Sequence, residues 1–279
     1  MTPGAIRYDF IVVIPCFNDH KGLYKSLNSI AYQNNNLLIL VIDDGSEVAI
    51  QKSDLENLLL HRATVQLITL SENLGITRAL NKGLRWITEN NGNAFSCKYV
   101  ARLDCGDLCA PERFNRQVHF LDQNQEIDLL GTWCTFEDFE TGDKFVYKTP
   151  TEDRKIRRAM YFRNIFIHPT VMWRIEIMKL HHDYPENFPH AEDYGLFYQW
   201  MDADFRTAVL PEKLVTCRIN PRGLSLANRN HQLRSRIKVI NAYGRNKILK
   251  VLGTLKLWAL IAIPYPLIFR MKKLIAGER

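Results

Sequence analysis

Two hydrophobic periods alternate through roughly the first hundred residues, and this alternation constrains the fold more than any other feature of the chain. Short runs rich in β-branched residues suit buried parallel strands, and the segments between them carry apolar residues at helical spacing. We predict strands at 8–15, 37–43, 64–70 and 98–104, and helices at 20–33, 52–62 and 73–89. This order predicts an α/β fold with a parallel sheet and helices on both faces.

Acidic and polar residues follow three of the four predicted strands, at 15–18, 43–46 and 102–107. Ligands of open α/β sheets bind outside the carboxyl ends of the strands, so we expect these segments to line one site. Neighbouring carboxylates such as Asp43 and Asp44 repel each other and lose solvation when buried, which favours a chemical use. The alternative is structural, because Asp-Gly steps are common in turns and Asp107 is placed to cap the following helix.

The segment after the fourth strand predicts a metal site. Asp104 and Asp107 offer the oxygen ligands that Mg²⁺ and Mn²⁺ prefer, and such ions keep coordination sites for phosphate groups. The predicted cofactor is a divalent cation, Mn²⁺ or Mg²⁺, bound to a diphosphate, while Asp43 and Asp44 recognise the nucleoside.

Beyond residue 111 the pattern changes to mixed elements that extend the same domain. We predict helices at 112–122, 151–161 and 192–201, short strands between 129 and 147, and a strand-like run at 165–173. Glu192 and Asp193 open the last helix, where a carboxylate either takes a proton from an attacking hydroxyl or simply favours the positive end of the helix dipole. Trp173, Tyr198 and Trp200 either stack on a sugar or belong to the core.

The cysteine pattern favours a cytoplasmic protein. The six cysteines form no CxxC pair and have no zinc spacing with the eight histidines, which is typical of reduced thiols. The N-terminal residues show no apolar segment with a cleavage site, so no secretion signal is expected.

Charge is very unevenly distributed along the chain. Residues 218–279 contain 14 Lys and Arg against one acidic residue, Glu278, and include an uncharged run at 257–269. Because Pro264 and Pro266 interrupt this run, it is too short and broken to span a membrane. We predict a basic amphipathic tail at 226–279 that lies on the anionic inner face of the cell membrane. Packing on the body or against another copy is the alternative, and nucleic-acid binding is disfavoured because no stacking platform accompanies the cations.

Six short motifs occur in a fixed order along the chain. They lie at 12–18, 41–46, 73–83, 101–104, 168–172 and 191–194. Together they resemble the successive motifs of family 2 glycosyltransferases of the inverting, bacterial surface-polysaccharide type. The resemblance covers about residues 10–218. It implies a GT-A, Rossmann-like, mostly parallel sheet in a catalytic domain at 1–225, with a nucleotide-sugar half at about 8–110 and an acceptor half at about 111–225.

The resemblance also implies a reaction and a set of site residues. A sugar would move from a UDP-, GDP- or dTDP-sugar to an acceptor hydroxyl, with Asp193 as catalytic base and with Glu192 and His168 on the acceptor side. Asp104 and Asp107 would hold the metal. The implied donor-binding residues are Pro15, Phe17, Asn18, Asp43, Asp44, Asn73, Arg78, Asn81, Arg102 and Asp104. Arg218, Arg222 and Ser225 are further candidates for the diphosphate. The basic tail favours a lipid-linked saccharide as acceptor.

One position departs from the family pattern, because Gly106 stands where an aspartate is frequent. This departure motivates an alternative in another class, a nucleotide-sugar-binding protein without turnover. A second alternative is a sugar-phosphate nucleotidyltransferase, which is disfavoured because residues 15–18 are not the Gly-rich loop that such enzymes carry after the first strand.

Overall fold

A computed structural model describes residues 6–59, 62–138, 140–219 and 228–263. Within these residues, nine strands form one sheet. They are β1 (Ile6–Cys16), β2 (Leu37–Asp43), β3 (Thr64–Thr69), β4 (Phe95–Arg102), β5 (Leu108–Cys109), β6 (Leu129–Asp138), β7 (Lys144–Tyr147), β8 (Met172–Arg174) and β9 (Thr207–Ile219). The described helices are α1 (His20–Ser29), α2 (Lys52–Leu59), α3 (Ile76–Asn90), α4 (Arg113–Gln123), α5 (Asp153–Met160), α6 (Glu192–Asp202), α7 (Arg229–Tyr243) and α8 (Lys247–Ala262).

The first half of the sheet is parallel, as predicted. Its order is β3-β2-β1-β4, and the register pairs Cys16 with Asp43 and Val13 with Arg102. The carboxyl ends of β1, β2 and β4 therefore meet at one edge, which brings the three polar segments of the sequence to the same side of the molecule.

The second half mixes both orientations. The short strand β8 runs antiparallel to β4 and β6, while β6 and β9 pair in parallel over most of their length. The prediction of a strand over 165–173 is wrong, because His168–Thr170 forms a 3-10 turn and only Met172–Arg174 pairs in the sheet. Pro169 explains the difference, since proline fixes φ and removes a backbone donor.

Helices cover both faces of the sheet. The apolar stripe of α3, which includes Leu80, Leu84 and Ile87, packs with Leu40 and Ile42 in one buried cluster. On the opposite face, α1, α2 and α4 close a second cluster around the alternate residues of β1 and β2. Trp173 and Trp200 are fully buried in the first cluster, with ring centroids 5.3 Å apart, and Tyr198 is buried beside them. These three aromatic residues therefore belong to the core.

The two C-terminal helices differ in how deeply they pack. Helix α7 buries Leu233, Ile237 and Ile240 in the first cluster, so these side chains are not available to a membrane surface. Helix α8 buries only Gly253 and Leu257. The remainder of the predicted tail, residues 264–279, lies outside the described residues. Among the helices of the described ranges, none has the length and hydropathy needed to cross a bilayer.

Candidate active site

Asp43 shapes the loop that follows β2. Its side chain is fully buried, and its two carboxylate oxygens accept hydrogen bonds from the backbone N–H groups of Ser46 and Ile50, each at 3.0 Å. Because both oxygens are bonded to its own loop, Asp43 fixes the backbone at the rim of the sheet.

Asp44 joins this loop to the start of α3. Its carboxylate accepts hydrogen bonds from the N–H groups of Leu74 at 2.9 Å and Gly75 at 3.0 Å, and the Asn73 side chain also accepts from Gly75 at 3.0 Å. Burial raises the pKa of Asp44 above its ordinary value. The next residue must be glycine, because φ of Gly45 is +72° and a Cβ there would lie 2.3 Å from the carbonyl carbon of Glu72.

The residues after β1 complete this side of the rim. The backbone N–H of Asn18 donates to Ser46 Oγ at 2.9 Å, and its side-chain oxygen accepts from the N–H of Glu47 at 2.9 Å. Pro15 is buried in β1 beside Ile42, whereas 46% of Phe17 is exposed. Phe17 therefore presents an aromatic surface at the rim, and Pro15 and Asn18 hold the backbone beneath it.

Arg102 is a fully buried arginine at the end of β4 that connects both halves of the site. Its guanidinium donates to the carbonyl oxygens of Val13 and Leu103, at 2.7 and 2.8 Å. Its Nε donates to His168 Nε2 at 3.1 Å, and its Nη2 is paired with Asp104 Oδ1. The charge-assisted pair orients the Asp104 carboxylate toward the rim of the sheet.

The loop at 104–107 is held from beneath by Ser26 of α1. Its buried hydroxyl donates to the Asp107 carbonyl at 2.8 Å and accepts from the N–H of Gly106 at 2.9 Å. Gly106 has φ of +94° and open space around its Cα, where a Cβ would meet only Asp19 at 3.7 Å. The loop also approaches the end of β1, because Cys105 Sγ lies 3.5 Å from Cys16 Sγ.

The two carboxylates of this loop have different electrostatics. Although burial opposes its ionisation, the charge of Arg102 holds the pKa of Asp104 below its ordinary value. Burial and the negative charge of Asp104 raise the pKa of Asp107 to about 8, and one Asp107 oxygen accepts from the backbone N–H of Arg218 at 2.8 Å. Among the residues that the structure describes, no cluster of three His, Cys, Asp or Glu side chains forms a ready-made metal cage.

Glu192 and Asp193 lie at the first turn of α6, where the sequence predicts the base. Asp193 accepts hydrogen bonds from the Asn164 side-chain amide at 2.9 Å and from the N–H of Tyr194 at 2.6 Å. Burial raises the pKa of Asp193 to about 6, and Asp104 acts in the same direction. Burial and the neighbouring Asp193 raise the pKa of Glu192 to about 7. The charge of Asp104 adds to the effect of burial on both pKa values, which connects the start of α6 electrostatically with the 104–107 loop.

Two predicted site residues, Asn81 and His168, support Arg102 and the 104–107 loop from behind, whereas a third, Arg78, does not. Asn81 is buried and pairs with the Tyr184 backbone, donating to its carbonyl at 3.0 Å and accepting from its N–H at 2.7 Å. The Tyr184 hydroxyl in turn lies 2.7 Å from His168 Nε2, which also meets Arg102. Burial and the charge of Arg102 lower the pKa of His168 to about 3, so this imidazole is neutral at physiological pH. Arg78 lies on the surface and pairs with Glu186 at 3.0 Å.

Arg236 reaches the site from α7, although the sequence suggested a membrane-facing role for its segment. Its guanidinium carbon lies 4.7 Å from the centroid of the Tyr194 ring, and its charge lowers the pKa of Asp193. Its Nε and Nη2 atoms are buried without a hydrogen-bond partner in the described part of the chain. No sequence motif marks this residue, because its side chain reaches the site only when α7 packs on α6. Arg222 and Ser225 lie outside the described residues.

The sequence profile described as "Glycosyl transferase family 2" matches residues 11–179, which run from the second half of β1 through β8 and include Asp43, Asp44, Asp104 and Asp107. The chain belongs to glycosyltransferase family 2.

Three relatives of this family 2 glycosyltransferase show its range of similarity. An uncharacterized glycosyltransferase of Haemophilus influenzae is 29% identical over 88% of this chain and 78% of its own length. The amylovoran biosynthesis glycosyltransferase AmsE of Erwinia amylovora is 29% identical over 75% of this chain and 76% of its own. A UDP-Gal:α-D-GlcNAc-diphosphoundecaprenol β-1,3-galactosyltransferase of Escherichia coli is 27% identical over 71% of this chain and 68% of its own length.

Two solved structures share the fold of this glycosyltransferase. TarS 1–349 of S. aureus in complex with UDP-GlcNAc has a TM-score of 0.64 at 17% identity and covers 90% of this chain and 71% of its own. The mannosyltransferase PcManGT of Pyrobaculum calidifontis, in complex with GDP-Man and Mn²⁺, has a TM-score of 0.63 at 16% identity. The match covers 97% of this chain and 80% of PcManGT. Such neighbours are GT-A glycosyltransferases, so the predicted fold class is confirmed.

Proposed function

We propose that this enzyme transfers a sugar, with inversion, from a nucleotide-sugar donor to a hydroxyl of a lipid-linked saccharide, in the synthesis of a cell-surface polysaccharide. The observation that carries the proposal is Asp193 in the first turn of α6, whose carboxylate is oriented by Asn164 and whose pKa is raised by burial and also by the charge of Asp104 in the 104–107 loop. Direct displacement at the anomeric carbon needs a base on the acceptor side and stabilised negative charge on the donor side, and these two segments supply them.

The donor side provides two kinds of residue for a nucleoside diphosphate. Asp43 and Asp44 fix the loops around the base and ribose, with Phe17 exposed above them. Asn73, Arg78 and the pair of Arg102 with Asp104 would approach the sugar and diphosphate from the α3 and β4 sides. A relative named for UDP-Gal and fold neighbours solved with UDP-GlcNAc and GDP-Man support this class of donor.

Asp104 and Asp107 fit a divalent cation that is bound mainly by the donor. Asp104 keeps one oxygen free of Arg102. Burial and the charge of Asp104 raise the pKa of Asp107, and a bound cation would favour its ionised form. An Mn²⁺ or Mg²⁺ ion would neutralise the charge of the departing diphosphate. Gly106 leaves this pair without a third carboxylate, so phosphate oxygens and water would complete the coordination. A neighbour solved with Mn²⁺ supports the choice of metal.

The acceptor and the location are inferred from charge and from relatives. One relative is named for a diphosphoundecaprenol-linked substrate, and another for amylovoran biosynthesis. The described residues 228–263 contain eight Lys and Arg and no acidic residue, which suits a cytoplasmic enzyme held at the anionic inner face of the cell membrane.

The test is a transfer assay with a panel of nucleotide sugars, Mn²⁺ and a synthetic sugar-diphosphate lipid as acceptor. We expect release of nucleoside diphosphate to depend on the acceptor and an α-configured donor to give a β-linked product, read from the anomeric proton coupling by NMR. A product that retains the donor configuration contradicts inversion. Turnover that requires a nucleoside triphosphate and a sugar phosphate, with release of pyrophosphate, contradicts the reaction class.

A further inference from the structure

A cavity opens on the face of the protein formed by the C-terminal helices. It lies between α5, α6 and the turn from α7 to α8, and its volume is about 530 Å³. Arginines and tyrosines line much of it, and Ile248 and Leu249 of α8 form one wall. None of Asp104, Glu192 and Asp193 lines the cavity, which separates it from the candidate active site.

Two of the arginines in this cavity have no partner. Arg154 and Arg158 lie one turn apart on α5 and are exposed, and neither forms a hydrogen bond or ion pair within the described ranges. Arg157 and Arg245, by contrast, are used by the protein itself. Arg157 binds Asp153 and two carbonyl groups, and Arg245 binds Asp202 and Asp204. The free guanidinium pair offers the donors that a phosphate group accepts.

The wall of the cavity continues into an exposed apolar stripe on α8. Ile248 both lines the cavity and is 72% exposed, and the stripe runs on at helical spacing. Its further members, each about half exposed, are Val251, Leu252, Leu255 and Trp258. A helix that keeps such a stripe outside the core is typical of a segment that rests in the interface of a lipid bilayer.

Charge decides which partner suits this surface. Residues 228–263 contain eight Lys and Arg without an acidic residue, and Arg154 and Arg158 add to the same face. A second copy of this chain would bring like charges together, whereas an anionic lipid surface complements them.

We propose that the α5–α8 cavity is a binding site for the phosphate headgroup of an anionic glycerophospholipid, with the α8 stripe resting among the acyl chains. The inference rests on the membrane location given in the proposed function and adds a lipid site to it. Arg154 and Arg158 bind the headgroup, and the stripe from Ile248 to Trp258 sets the depth of the helix in the interface.

The experiment is co-sedimentation of the full chain with vesicles of phosphatidylcholine alone or mixed with phosphatidylglycerol, at low salt. Point substitutions are preferable to a deletion of the tail, because Leu257 is buried in the core and its removal would disturb folding. We expect the wild-type protein to bind only the mixed vesicles. The double variant Arg154→Gln/Arg158→Gln should bind them about 30-fold more weakly.

The matched control is Lys25→Gln/Lys52→Gln, which removes the same charge from α1 and α2 on the opposite face of the sheet. It should bind as the wild type does. The variant Leu252→Ser/Leu255→Ser should lose roughly 100-fold in affinity and abolish a blue shift of Trp258 fluorescence with the mixed vesicles.

Several results would overturn the proposal. An equal loss of vesicle affinity in the arginine variant and its control would show that binding depends only on the total charge of the protein. If Leu252→Ser/Leu255→Ser turns a dimer into a monomer in ultracentrifugation, the stripe is a contact between copies. A melting temperature lowered by that variant, with unchanged vesicle binding, would mean that the chain itself covers the stripe. Transfer to a water-soluble acceptor, measured on the same variants, should stay at the wild-type rate, so loss of the lipid site is distinguishable from failure of the proposed reaction.

Discussion

Two acidic pairs of this enzyme, Asp43 with Asp44 and Glu192 with Asp193, are bonded very differently. Asp43 and Asp44 each accept two backbone N–H groups from loops outside their own strand, at 2.9 to 3.0 Å. Glu192 and Asp193 begin a helix, and the Asp193 carboxylate accepts from the side-chain amide of Asn164 and from the N–H of the next residue, Tyr194. Asp43 and Asp44 are therefore part of the scaffold, while Glu192 and Asp193 have pKa values raised to about 7 and about 6.

This difference illustrates two roles that a buried carboxylate can have in a protein, one structural and one chemical. Hydrogen bonds from backbone N–H groups stabilise a carboxylate, so replacing that residue lowers the free energy of unfolding. Burial and neighbouring negative charge instead raise the pKa values of Glu192 and Asp193 toward neutral pH, where a general base works best. Substitutions in the two pairs should consequently affect stability and turnover in opposite proportions.

The largest expected effect is on turnover by Asp193→Asn. Removing the base should lower kcat by about 10² to 10⁴-fold while leaving the fold intact, measured by release of nucleoside diphosphate at saturating donor and acceptor. Asp183→Asn is the matched control, because Asp183 is a surface carboxylate of the same half that pairs with Arg85. Near-native turnover by Asp193→Asn would remove Asp193 from the mechanism.

The next effect concerns stability and belongs to the donor pair. Asp44→Ala should lower the free energy of unfolding by about 2 to 4 kcal/mol, because two charge-assisted hydrogen bonds to Leu74 and Gly75 are lost. Urea denaturation followed by circular dichroism measures it. Asp138→Ala is the control, since Asp138 also accepts two backbone N–H groups, from Glu140 and Thr141, but in an exposed turn. An equal loss of unfolding free energy in the two variants would contradict a special role for the buried hydrogen bonds of Asp44.

A third prediction concerns how pH changes the acceptor pair. Burial raises the pKa of Asp193 from 3.8 to about 6, so the folded state binds this proton more tightly than the unfolded chain does. The stability that this proton contributes is complete below about pH 4 and is lost as pH rises to about 6. Asp193→Asn should therefore gain melting temperature relative to wild type as pH increases over this range. A difference between the two proteins that does not change with pH would contradict the shifted pKa.

The smallest expected effect is that of Arg236 on the pH dependence of turnover. Arg236 lowers the pKa of Asp193, so Arg236→Gln should move the acidic limb of the kcat profile upward by about one pH unit. Arg236→Lys keeps the charge and should restore the wild-type limb. If both variants lose activity but the acidic limb of the kcat–pH profile stays at the wild-type pH, Arg236 acts through packing on Tyr194 and not through its charge.

The sequence predicted the donor half well because its signals are local. Three of the four parallel strands end in polar residues, so topology alone assigns Asp43, Asp44 and Asp104 to one edge of the sheet. The resemblance to family 2 supplied the same residues with their expected roles, and these roles remain predictions.

The supporting residues could not be predicted, because they come from distant elements without a motif. Ser26 holds the 104–107 loop across about eighty residues of sequence, and Tyr184 joins Asn81 to His168. Their roles depend on hydrogen bonds to backbone groups, which no spacing of residue types reveals. The amphipathic pattern of α7 was equally ambiguous, since an apolar face suits a protein core as well as a membrane.

The placement of α7 has a consequence for how such enzymes diversify. Because its buried face lies in the core and its Arg236 touches the environment of the base, this helix cannot be exchanged between relatives as a separate targeting module. A chimera joined near residue 226 would import a foreign neighbour for Asp193. A junction at the Gly244 turn, before α8, would keep that neighbour and exchange the exposed stripe of α8, as long as an apolar residue stays at the buried position of Leu257.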